Sequence, residues 1–174
     1  TAELKLLPFT YKEAREFFPN YSNEEALVAY SILGGIPLYL SLFDDSISIK
    51  ENVIKNCLST TGYLFNEIET LLRMELKETY FYKNIMLAIN AGASTFNSIK
   101  DKVDEEAAKV AKYMNVLIHL GFIKKEVPCG EKEKSRNTLY SICDNYFAFY
   151  FAFIFKHQNM LNGLISPELY YERE

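Results

Sequence analysis

Seven basic residues in the second half of this 174-residue chain have types and spacing that could meet a phosphate backbone: Lys109, Lys112, Lys124, Lys125, Lys132, Lys134 and Arg136. Cations brought to nucleic acid displace its condensed counterions, which is the main source of salt-sensitive affinity. The balance of charge is modest. Between Ser94 and Lys112 four lysines face Asp101, Asp104, Glu105 and Glu106, whereas from Lys124 to Arg136 five cations face Glu126, Glu131 and Glu133. A duplex backbone or a merely solvated loop would suit that excess equally well.

Other chemistry is sparse. Asp44 and Asp45 have no His, Lys or Cys beside them, and a loop turn explains them better than acid–base work. His119 and His157 lack an i+4 His or carboxylate partner suited to a metal, so no metal site is expected. No catalytic set emerges. The chain has no G-x-x-x-x-G-K-[ST] phosphate loop and no acidic strand end for Mg²⁺. Phosphoryl transfer needs a backbone cradle, a lysine and a metal site, so this chain alone is not expected to hydrolyse ATP or to carry a cofactor.

The elements that must position these cations read as a winged helix over 80–144. Phe81 to Ile89 keeps a helical apolar stripe, and Ala91-Gly92-Ala93 breaks it. Ser94 or Thr95 can cap a short second helix ending at Val103. Asp104 is expected to cap a third helix, with Ala107, Val110, Ala111, Met114, Leu117 and Ile118 inward and Gly121 at its end. Two alternating runs, 122–127 and 138–142, form the strands of the wing.

Upstream, Thr10-Tyr11-Lys12-Glu13 is a capping box, Ser22 or Asn23 starts a helix through Leu33, and Gly34-Gly35-Ile36-Pro37 interrupts it. Helices are expected from Ser48 towards Leu58 and from Tyr63 to Glu78. Asp144 caps the aromatic run Tyr146 to Phe155, which its cap and length make a buried helix despite partial strand-like alternation. Ser166-Pro167 starts a last turn.

Composition is that of a protein with a real core: 49% of residues are apolar, with 13 Tyr and 13 Phe. A net charge of −4 argues against general coating of nucleic acid or acidic membranes. Cys57, Cys129 and Cys143 form no C-x-x-C pair and read as cytoplasmic thiols, with Cys57 and Cys143 in the core. The uninterrupted apolar run of about 20 residues that a membrane span needs is missing. Residue 1 is Thr, which suggests a piece of a longer protein, although processing of the chain would explain it as well.

Several motifs resemble the archaeal-type ATPase family, prokaryotic P-loop NTPases of AAA+/STAND-like type. Leu6-Leu7-Pro8-Phe9-Thr10-Tyr11 with Glu13-Ala14 and Phe17-Phe18 is similar to the segment closing that family's P-loop core. Gly34-Gly35-Ile36-Pro37-Leu38-Tyr39-Leu40 resembles its GG-x-P-x-Y-L lid motif. Leu71-Leu72-Arg73-Met74-Glu75-Leu76, the winged helix and Tyr140-x-Ile142-x-Asp144 follow in the family's order. Asn145 stands where the family has proline, and Ala148, Tyr150 and Ala152 replace its Arg, Trp and Arg.

The resemblance implies an all-α fold with a small β wing: a helical lid at 1–79, a winged helix-turn-helix at 80–144, and an aromatic helix and tail at 145–174. It implies that Pro37 lies against the adenine base in the parent protein, with Gly34 and Gly35 letting the backbone come close. ATP and Mg²⁺ would be held by a P-loop domain N-terminal to this chain. The leading expectation is therefore the regulatory C-terminal part of an ATPase, whose winged helix faces a protein partner or its own chain. The alternative is a DNA-binding winged-helix module.

Overall fold

The computed structural model describes residues 7–130, 135 and 137–173. It divides into two compact units, one made of Thr1–Glu67 with His157–Glu174 and the other of Ile68–Lys156. The aromatic run packs against the helix Thr79–Asn90 and the strand Leu139–Ile142, and the rings of Phe122 and Phe147 stack 5.0 Å apart.

In the first unit, helix starts are set by side chains that satisfy the orphan N–H groups of the first turn. Thr10 and Glu13 bond reciprocally at α1 (Tyr11–Ala14), which runs on as a 3₁₀ turn, Arg15–Phe17. Ser22 and Glu25 do the same at α2 (Asn23–Leu33), which buries Ala26, Ala29 and Leu33. Pro37 opens α3 (Pro37–Ser41), burying Tyr39 and Leu40. Ser48 and Glu51 box α4 (Ile49–Val53), continued by a π-helical turn, Ile54–Leu58.

The loop before α4 is closed by a buried carboxamide. Asn52 accepts from the Asp44 N–H at 2.9 Å and donates to the Asp44 carbonyl at 2.7 Å and to the Tyr21 hydroxyl at 2.8 Å. Asp45 accepts from the N–H and the carboxamide of Asn20. Both aspartates are therefore used in holding a loop.

The second unit begins with α5 (Glu67–Glu75), which buries Ile68 and Leu72. The continuous helix expected from Tyr63 to Glu78 is broken: a 3₁₀ turn covers Tyr63–Phe65 and the helix stops at Glu75. The apolar stripe carries on to buried Leu76, so the side-chain period outlasts the backbone hydrogen bonding. Three helices follow, α6 (Thr79–Asn90), α7 (Phe96–Val103) and α8 (Ala107–His119).

Thr95 caps α7 through Ser98. Asp104 does not cap α8. It ends α7 in the left-handed region, at φ 55°, and Glu106 takes the N-cap position of α8. Gly121 (φ 77°) ends α8 as expected, with Phe122 N–H bonding the Leu117 carbonyl.

Strands β1 (Ile123–Glu126) and β2 (Leu139–Ile142) pair antiparallel, Ile123 opposite Ile142 and Glu126 opposite Leu139. The Tyr140 N–H reaches back to the Ser94 carbonyl at 2.7 Å, tying the hairpin to the turn before α7. Cys57 is buried, but Cys143 is exposed, one residue beyond the strand and so past the inward-facing alternation.

Asp144 caps α9 (Asn145–Phe149), accepting from the Phe147 N–H at 3.1 Å. A π-helical turn, Tyr150–Ile154, and a 3₁₀ turn, Phe155–His157, extend it. The aromatic run is helical, and Tyr146, Phe147, Tyr150, Phe151 and Ile154 are buried.

The chain then returns to the first unit through α10 (Gln158–Leu161) and α11 (Pro167–Tyr171). Tyr170 is buried there, Lys50 forms an ion pair with Glu172, and the Lys50 ammonium lies 5.6 Å from the Tyr171 ring centroid. The whole is mainly helical with one small two-stranded sheet among the described residues.

Candidate functional site

The basic residues singled out from sequence do not all share one surface. Lys109 turns towards α6: its ammonium sits 3.5 Å from the Phe81 ring centroid and pairs with Glu105 at 2.9 Å. Lys112 is exposed, and its ammonium lies 5.7 Å from the Tyr113 ring centroid. Lys124 and Lys125 are exposed on β1, with Lys124 paired to Glu126 at 3.2 Å. Lys132, Lys134 and Arg136 lie outside the described residues.

What joins Lys112 on the outer face of α8 is not more lysine. Ala108, Lys112, Asn115 and His119 are exposed, at spacings of four, three and four. Val110, Tyr113, Met114 and Leu117 are buried on the other side. From Ala107 to His119 the helix has no carboxylate; its acidic neighbours Asp104, Glu105 and Glu106 all precede it.

The two units also differ in charge. Thirteen basic against eleven acidic residues leave Ile68–Lys156 at +2, whereas six against twelve leave the rest at −6.

Near the start of α6, Tyr113 donates a hydrogen bond to the Glu78 carboxylate beside a cavity of about 390 Å³ also lined by Tyr82, Lys77 and Lys112. That bond pushes the Tyr113 phenol up to about 12. A second cavity, of about 400 Å³, lies between α6 and α7 beside Lys102 and Lys156. Lys102 donates to the Ala91 carbonyl at 2.6 Å and so ties down the end of α6. Among the described residues no group of His, Cys, Asp and Glu is arranged to hold a metal ion.

In the first unit, the Gly34-Gly35 pair has a local explanation. Gly34 sits at φ 67°, ψ −152°, a conformation that disfavours any side chain. Phe9 N–H donates to the Gly35 carbonyl at 2.8 Å, and a Cβ on Gly35 would lie 2.0 Å from the Phe9 carbonyl oxygen. The Tyr30 hydroxyl donates to that same oxygen at 3.1 Å. Pro37, two residues on, is exposed, and Leu38 is 48% exposed beside it. The glycines thus seat the lead-in segment, and the proline ring is left facing outward.

No protein-family model matches the chain. Over 169 residues, 97% of its length, the chain is 33% identical to an uncharacterized protein of Methanocaldococcus jannaschii and covers 38% of that protein. Among solved structures it is similar to a Walker-type ATPase of Pyrococcus abyssi, with a TM-score of 0.57 and 20% identity over 83% of this chain and 42% of that one. The chain therefore spans less than half the length of either. Among the described residues no helix is long and apolar enough to cross a membrane. What the chain shares with the Pyrococcus protein over that stretch is the fold.

Proposed function

We propose that this chain is the C-terminal regulatory part of a prokaryotic ATP-binding ATPase of AAA+/STAND-like type. The observation that carries the reading is the likeness of fold, over 83% of the chain, to a Walker-type ATPase of which it covers 42%. Residues 1–79 serve as a lid over nucleotide, and residues 80–144 form a winged helix that relays the lid's state to a partner. Gly34 and Gly35 hold the lead-in segment close, so that exposed Pro37 can lie against the adenine base. ATP and Mg²⁺ are held mainly by a P-loop domain outside this chain, because phosphoryl transfer needs a phosphate cradle and metal site that this sequence lacks. Different lid contacts in the nucleotide-bound and empty states supply the coupling.

The test compares this chain with a polypeptide joining it to the P-loop domain encoded alongside it. Only the joined protein is expected to bind and hydrolyse ATP, and Pro37→Ala is expected to weaken its nucleotide affinity about tenfold, or about 1.4 kcal/mol. Turnover by this chain alone, or an unchanged affinity in the Pro37→Ala protein, would overturn the reading.

A further inference from the structure

We propose that the cavity between α8 and the joint from α5 to α6 binds a free α-amino acid with an apolar side chain, its ammonium at the Glu75 end of α5 and its carboxylate at Lys112. The site lies within the second unit alone and stands apart from the ATPase reading.

The cavity measures about 390 Å³, at the small end of the roughly 300–1,000 Å³ range of ligand pockets. One wall is the joint at 76–78, and the other is α8 at Lys112, Tyr113 and Val116. Tyr82 of α6 completes the lining.

Its charges come in both signs: Glu75 and Glu78 against Lys77 and Lys112. No described residue forms an ion pair with Glu75, Lys77 or Lys112. A purely cationic ligand would be repelled by the lysines, and a purely anionic one by the glutamates. A zwitterion complements both at once.

The two signs are also set apart. Glu75 is the last residue of α5, where the unbonded carbonyls form the negative end of the helix. A carboxylate there is disfavoured by the helix, yet carboxylate and carbonyls together suit an ammonium. Lys112 belongs to the opposite wall, its ammonium 5.7 Å from the Tyr113 ring centroid.

A buried hydroxyl is left over as well. Tyr82 is 8% exposed and lines the cavity, but its hydroxyl bonds no described residue. Buried hydroxyls are ordinarily bonded. Its neighbour Tyr113, edge-on at 4.7 Å, donates to the Glu78 carboxylate. Burial and the Glu78 charge push the Tyr82 phenol up, so that carboxylate and this hydroxyl act on the same space. An ammonium has three N–H donors, enough to serve Glu75, Glu78 and the Tyr82 oxygen together. Buried Leu76 and half-buried Val116 offer an aliphatic side chain an apolar floor.

Isothermal titration calorimetry of this chain with the standard amino acids tests the proposal, alongside two analogues of leucine that carry one charge each, isoamylamine and isocaproate. We expect leucine, isoleucine or methionine to bind with a Kd on the order of 0.1 mM. Each analogue should bind at least about tenfold more weakly than leucine, because each lacks one charge-assisted contact. Glu75→Gln and Lys112→Met should each weaken leucine about tenfold. Lys112→Met should not weaken isoamylamine, and Glu75→Gln should not weaken isocaproate, since neither analogue uses the group removed. Tyr82→Phe keeps the ring and should weaken leucine several-fold. Glu75 and Lys112 are exposed, and circular dichroism checks that the variants fold.

No binding of any amino acid up to about 10 mM overturns the proposal. An analogue that binds as tightly as leucine also overturns it, as does a leucine affinity indifferent to both charge substitutions. A polar amino acid bound more tightly than leucine would do the same, because the floor would then play no part.

Discussion

The Asn90 carboxamide, oriented by the two backbone groups it faces, donates to the Ala148 carbonyl and accepts from the Ala152 N–H, each at 3.1 Å. In an unbroken α-helix those two groups would bond to each other. The π-helical turn Tyr150–Ile154 separates them, and the last residue of α6 supplies both missing partners. Asn90→Ala should therefore cost about 1–3 kcal/mol, the penalty for stranding shielded backbone groups. Asn90→Asp should cost nearly as much, because a carboxylate cannot donate to Ala148. Urea unfolding gives the answer: an unchanged midpoint in both variants would show that the insertion carries no energy.

At the Gly34-Gly35 corner, stability and nucleotide chemistry should separate. Gly35→Ala forces a Cβ into the Phe9 backbone and should destabilise by about 1–3 kcal/mol. Gly34→Ala meets a backbone conformation nearly reserved for glycine, at about 1–3 kcal/mol. Exposed Pro37→Ala should change stability by less than about 0.5 kcal/mol. Thermal melts of the three variants check the order, and a Pro37→Ala loss matching the glycine variants would contradict it.

Two carboxylates of the second unit should respond to acid with opposite sign. Burial raises the pKa of Asp144 despite its bonds from the Phe147 and Tyr146 N–H groups. Its native state thus binds the proton more readily than the unfolded chain, and stability is lost as pH rises from about 3.8 through the native pKa. Asp144→Asn keeps the cap and should stabilise at neutral pH, with the gain vanishing below about pH 3.8.

Burial also pushes Glu69 up, but the Lys83 and Arg73 charges and hydrogen bonds outweigh it and leave the pKa lowered. Its contribution is present above about pH 4.5 and is lost as pH falls through the native value. Glu69→Gln should flatten the acid limb of a stability–pH curve, whereas Asp144→Asn should steepen it.

Asp104 occupies a left-handed position between α7 and α8, at φ 55°. A side chain there costs about 1–2 kcal/mol that glycine avoids. Asp104→Gly should therefore raise stability by about 1 kcal/mol and shift the melting midpoint up by a few degrees. A lower midpoint would mean that the aspartate side chain holds the turn in some other way.

Most of the helix starts could be read from sequence because their determinants are local. Thr10, Ser22, Ser48 and Asp144 each find a partner three residues on, and each begins a helix. Asp104 misled because the residue types that begin helices also tolerate the left-handed turn that ends them. The π turn in the aromatic run could not be read at all: the side chain that bonds its opened backbone groups, Asn90, is some sixty residues away in sequence, beyond any local pattern.

The site was legible in part. Lysine spacing pointed to α8 and β1, but it included Lys109, whose ammonium is drawn to Phe81 and Glu105. Charge can be counted from sequence; which side of a helix holds it depends on what the other side packs against.

The return of His157–Glu174 to the first unit has a consequence for birth on the ribosome. That unit lacks its buried Tyr170 and its Lys50–Glu172 pair until the whole of Ile68–Lys156 has been made. At about 5–20 residues per second this is a wait on the order of 5–20 s, during which the first unit lacks part of its core while the second, contiguous in sequence, can close at once. Order of synthesis and order of completion are thus reversed: the part translated first is the last to be sealed.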